Sequence, residues 1–117
     1  MNPLELEQEI AKMVRAMMTR NTLIGSAIIT HLKSQLTLED LAGVLLVSIE
    51  RLVWFDADSV IWSIENLIPV EVLQEIQRIM SFTIYKQLIF KGCVPGKDMS
   101  VDACGKILLN NQLRAAA

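Results

Sequence analysis

The sequence predicts an all-α protein, a single compact bundle of five or six helices formed by residues 1–117. Three observations lead there. At 117 residues, with 52% apolar and 21% charged side chains, the chain has the length of one domain and a composition far from that of disordered chains. Apolar residues recur at steps of three and four in successive segments, the spacing of one helix face. Those segments open with residues that satisfy free helical amides: Asn2, Asn21, Thr37 and Asp56.

Asn2-Pro3-x-Glu5 combines a capping side chain, proline at the first helical position and an early carboxylate. A first helix over residues 3–20 follows, with Leu6, Ile10, Met13 and Met17 on one stripe. Asn21-Thr22 opens a second, facing inward through Ile24, Ala27, Ile28 and Leu32 and ending near Gln35. Thr37-Leu38-Glu39-Asp40 is a capping-box variant, and the third helix behind it carries Leu38, Leu41, Ala42, Leu45, Ile49 and Leu52 on one side and Val44, Leu46 and Val47 on the other. Apolar on both sides, it is expected at the centre. Asp56-x-Asp58-Ser59 caps a fourth helix holding Val60, Ile61, Ile64 and Leu67, which Pro69 closes.

Helical spacing then runs through Leu73, Ile76, Ile79, Met80, Ile84 and Leu88, so residues 70–91 are expected to be the longest helix. The competing reading is a strand over residues 82–90, which are rich in Thr, Ile, Tyr and Phe. Gly92 is the expected stop, residues 93–98 a loop, and Ser100 the cap of a short last helix through Val101, Cys104, Ile107 and Leu108.

Little catalytic chemistry is on offer. His31 is the single histidine, and Cys93 and Cys104 lack C-x-x-C spacing, so neither a zinc site nor a disulfide framework is expected. The five glycines form no phosphate-binding motif. Glu39-Asp40 and Asp56-x-Asp58 are the paired carboxylates, and both fall where helix caps belong. The expectation is no enzyme, no catalytic residue, no metal, no cofactor and no small-molecule substrate. The longest uncharged stretch of the richest region, residues 41–49, is about half of the ~20 residues a membrane span needs. With no signal-peptide pattern at the start, a soluble, cytoplasmic protein is expected.

What remains is binding. Met18 extends the apolar face of helix 1 beyond what one neighbour covers, and Trp54, Phe55 and Trp62 gather half of the six aromatics in a short stretch; these four are the candidate protein-interface residues. Net charge is −2, without the basic balance of a nucleic-acid binder. Locally, residues 37–75 hold eight acidic side chains against Arg51, a net of −7, while residues 76–117 hold six basic and two acidic, a net of +4. Arg51, Lys86 and Lys91 are the candidate DNA contacts, with Lys97, Lys106 and Arg114 completing the basic part.

Residues 36–52, with Ala42, Val47-Ser48 and Leu52 in register, resemble the core of bacterial helix-turn-helix transcriptional regulators. In that family a small alanine lets two helices cross, and Val-Ser opens the recognition helix. Leu46 stands where the family usually has glycine, which leaves two readings, a turn there or an unbroken helix. On the helix-turn-helix reading the outward residues Ile49, Glu50, Val53 and Trp54 are mostly apolar, unlike residues that read base edges. Leu36-Thr37-Leu38, Phe55-Asp56 and Val70-x-x-Leu73-Gln74-x-Ile76 also resemble, in order, features of the D subunit of the bacterial flagellar master activator. That resemblance implies an all-helical dimeric subunit of a transcription-activating complex that leans on a partner for DNA contact.

The expected function is therefore a small regulatory protein–protein interaction module, an oligomeric subunit of a transcription-regulatory complex. Its partners are further copies of itself or another protein, with DNA reached only through the complex and no membrane involved. The alternatives are a direct DNA-binding helix-turn-helix regulator and an adaptor, chaperone or toxin-neutralising protein.

Overall fold

The computed structural model describes residues 1–80, 99–101 and 107–109. Five helices run in order: α1 (Pro3–Met18), α2 (Thr22–Gln35), α3 (Leu38–Val53), α4 (Ala57–Asn66) and α5 (Val70–Ile79). Four begin at the capping side chain that the sequence supplies. Asn2 accepts from the Glu5 amide at 2.9 Å, Asn21 from Ile24 at 3.0 Å, Thr37 from Asp40 at 3.2 Å and Asp56 from Ser59 at 3.2 Å. Each bond satisfies an amide that has no partner inside its own helix. The fifth helix follows Pro69 in extended backbone without a side-chain cap.

At the end of α1 the Arg20 amide donates to the Met17 carbonyl at 3.1 Å and the Asn21 amide to that of Ala16 at 2.9 Å. This pair of bonds is a Schellman stop, and it puts Arg20 at a φ of 52°, where glycine is favoured. A tight corner results, and α2 departs from it at once.

The central position expected of α3 is found: it packs against α1, α2, α4 and α5. Leu41, Ala42, Leu45 and Leu52 are fully buried, and so are Met13 and Met17 of α1, Leu32 of α2, Val60 of α4 and Val72 and Ile76 of α5. Removing these side chains from water is the main force holding the bundle, about 1.5–3 kcal/mol for each large one. Where α2 meets the segment after α4, Gly25 is buried with so little room that a Cβ there would stand 2.8 Å from both methyl carbons of Leu67. Ion pairs tie the outer surface, Lys33 to Glu71 at 2.5 Å and Arg78 to Glu39 at 3.3 Å. Being exposed, they add little to stability.

Helix direction fixes what lies at each end. Met1, Gln35, Leu36, Glu39 and Asp40 line one cavity of about 770 Å³, which gathers the start of α1, the end of α2 and the start of α3. Along the α1–α2 seam Arg15 and Thr19 share a cavity with Asn21 and Ile24, and Glu9 and Lys12 share another with Ala27 and His31, so these two helices are antiparallel. Helices of 16, 14 and 16 residues are about 21–24 Å long. Arg51 in the last turn of α3 meets Glu7 in the second turn of α1, and Leu67 after α4 meets Gly25 of α2.

Several expectations are corrected. The fifth helix stops at Ile79, not near residue 91, because Met80 turns to extended backbone with φ −68° and ψ 131°. The longest described helices are thus α1 and α3. Ser100 caps no helix: β1 (Met99–Val101) pairs antiparallel with β2 (Ile107–Leu109), Met99 opposite Leu109 and Val101 opposite Ile107. The β-branched Val101 and Ile107 favour the strands over the helical spacing there. Of the two readings of residues 36–52, the unbroken helix holds, with no turn at Leu46. Ile49 is buried as its helical spacing predicts, and both it and Val53, outward on the helix-turn-helix reading, are covered because α3 has neighbours on several sides. Ile24 and Ala27, expected inward, are exposed, since α2 turns Gly25, Ile28, Ile29 and Leu32 to the core instead. The strand-or-helix choice at residues 82–90, the Gly92 stop and the loop at 93–98 lie outside the described residues.

Candidate protein-docking surface

Exposed large apolar side chains stand at two corners of the bundle, α1–α2 and α3–α4, and among the described residues also at Met1, Leu4, Leu38 and Val70. On the α1–α2 side Met18 is 44% exposed, Leu23 82% and Ile24 51%; on the α3–α4 side Trp54 is 50% and Phe55 65% exposed. Trp54 and Phe55 directly follow the fully buried Leu52 and Val53. The chain turns sharply there, with the Asp56 amide donating to the Leu52 carbonyl at 2.9 Å and Asp56 then capping α4. That turn carries the aromatic pair to the outside of a rigid corner. Apolar area held in water on well-packed elements is the physical signature of a surface built to be covered.

Of the four interface residues expected from the sequence, Met18 stands exposed at the α1–α2 corner and Trp54 and Phe55 at the α3–α4 corner, while Trp62 is half-buried and packed against the core. Leu23 and Ile24 were not among them. Beside Ile24 a cavity of about 410 Å³ runs between α1 and α2, walled by Arg15, Ala16, Thr19 and Ile28. Its floor is apolar and its α1 rim carries the cations.

The two corners differ in charge. Arg15 and Arg20 are exposed at the α1–α2 corner, and neither has an ion-pair partner among the described residues. At the α3–α4 corner Glu50 is half-buried and Asp58 exposed, close in sequence to the aromatic pair. Arg51, the cation of α3 nearest that corner in sequence, is already committed. Its two terminal nitrogens donate to both carboxylate oxygens of Glu7 at 2.6 and 2.9 Å, a bidentate geometry. The hydrogen bond to Arg51 holds the Glu7 carboxyl below the usual range, and the same bond raises Arg51 above its own.

The remaining candidates are placed as follows. Lys86, Lys91, Lys97, Lys106, Arg114, Cys93 and Cys104 lie outside the described residues. His31 is exposed on α2. Asp56 is engaged as a cap, with the Ser59 hydroxyl donating to it at 2.7 Å, and Glu39 faces Arg78. Ser48, the position at which a recognition helix would open, is fully buried, and its hydroxyl donates to the Val44 carbonyl at 2.9 Å. Among the described residues no three His, Cys, Asp or Glu side chains come together as a metal site, and no helix is long and apolar enough to cross a membrane.

No family model matches this sequence, and no curated protein or solved structure shows significant similarity to it.

Proposed function

We propose that the chain is a small regulatory protein–protein interaction module, a cytoplasmic subunit of a transcription-regulatory complex that leaves DNA contact to its partner and takes no cofactor or small-molecule substrate. One observation carries the docking part: five large apolar side chains, Met18, Leu23, Ile24, Trp54 and Phe55, stand exposed at two corners of a well-packed bundle. The regulatory part is supported by the resemblance of residues 36–52 to helix-turn-helix regulators and of the wider chain to the activator D subunit. Reliance on a partner for DNA is supported by the state of Arg51, whose charge Glu7 offsets. A phosphate would have to compete with that carboxylate.

Co-purification of the tagged chain from its native host, after nuclease treatment, tests this reading. A distinct protein is expected to accompany the parent and to be lost from a variant with Leu23→Glu and Phe55→Glu. Recovery of nucleic acid with no protein from untreated extract, or a protein retained by the double variant, would contradict it.

A further inference from the structure

We infer that the seam between α1 and α2 seats an acidic amphipathic helix of a partner protein, its apolar face on the groove floor and its carboxylates against Arg15 and Arg20. This rests on reading the α1–α2 corner as a docking surface and names the chemistry of what covers it.

The seam is one continuous groove. The cavity beside Ile24 and a second of about 310 Å³ share Lys12, Ile24 and Ile28. From Asn21 to His31 its α2 wall rises about 15 Å, room for about three turns of a bound helix. Two antiparallel helices with a channel between them receive a third by packing its ridge of side chains into that channel. The floor suits such a guest: Ile24 is 51% exposed, Ala27 is exposed, and the small Ala16 lies on the α1 side.

The sign of the guest follows from the rim. Residues 10–32 contain Lys12, Arg15 and Arg20 and no Asp or Glu, in a chain of net charge −2. Lys12 is held by Glu9 at 3.0 Å. Arg15 lines the groove and Arg20 stands between Thr19 and Asn21, which line it too; both arginines are exposed, with no ion-pair partner among the described residues. Carboxylates meet these cations, and a basic helix would be repelled by them. A nucleic-acid strand would suit the arginines but leave the apolar floor in water.

Fluorescence anisotropy of the purified full chain with three labelled synthetic helices of about 14 residues tests this. One carries a leucine face flanked by glutamates, one the same face flanked by lysines, and one the residues of the first in scrambled order. The glutamate helix is expected to bind about tenfold more tightly than either of the others, and less tightly as salt rises. Arg15→Glu/Arg20→Glu should reverse the preference between the glutamate and lysine helices. Ile24→Ser, which changes no charge, should weaken the glutamate helix about tenfold, with circular dichroism verifying that both variants fold. No binding, binding indifferent to charge or to order, or a reversal variant that keeps the parent's preference overturns the inference. A parent dimer in sedimentation velocity that Ile24→Ser dissociates would give the groove to a second copy and overturn it as well. If no peptide binds while a host protein still accompanies the parent and is lost with Leu23→Glu and Phe55→Glu, the acidic helix fails and the docking reading stands.

Discussion

Glu7 on α1 and Arg51 on α3 are joined by two parallel hydrogen bonds across 44 positions of sequence, which pins the surface edges of the first and third helices to each other. The pair is exposed on both sides, so it sets alignment more than stability. Its clearest signature is in acid. The Glu7 carboxyl is lowered in the folded state, so its contribution is complete above the ordinary glutamate range and fades as pH falls through the lowered value. Urea unfolding at a series of pH values should show this loss in the parent. Glu7→Gln should remove that part of the acid limb, and an acid limb identical in the two proteins would contradict the pairing.

Two glycines of neighbouring helices should respond in opposite directions to the same change. A Cβ at Gly43 meets nothing within 4 Å, so Gly43→Ala should gain up to about 1 kcal/mol from helix propensity. At Gly25 the added carbon collides with both methyls of buried Leu67, and overpacking of this kind costs about 1–3 kcal/mol. Gly25→Ala is therefore expected to destabilise. In a double-mutant cycle Leu67→Ala should relieve part of that cost, and simple additivity would show that the two do not touch.

Ser48 separates two views of α3. In the structure its hydroxyl only back-bonds to Val44 one turn earlier, an arrangement that contributes little to a helix. Ser48→Ala should change stability by less than about 1 kcal/mol, whereas Leu45→Ala in the same buried helix should cost about 2–5 kcal/mol. Thermal or urea unfolding distinguishes them. A large loss from Ser48→Ala would mean that its hydroxyl has a partner beyond its own helix.

The legible part of the fold is the part written in local chemistry. Asn2, Asn21, Thr37 and Asp56 each cap the helix that follows them, and Pro69 precedes α5 as read. The inward face of α2 was not legible, because Leu23, Ile24, Ala27, Ile28, Ile29 and Leu32 nearly encircle it. The choice falls to Gly25, whose fit under Leu67 carries no hydrophobic signal. That choice turns Leu23 and Ile24 outward, which is why the sequence pointed to Met18 but not to the aliphatic pair that follows it at the same corner. Side-chain spacing likewise continues past Ile79, where the backbone at Met80 leaves the helix.

The central claim, that the two exposed apolar corners are where a protein partner covers this chain, is tested most directly by nuclear magnetic resonance. Backbone amide spectra of the labelled chain would be recorded alone and with the protein that accompanies it from its host. Shifts on addition are predicted at residues 15–24 and 50–58, with amides 36–43 unchanged. Shifts centred on residues 36–43, or none anywhere, would contradict the account.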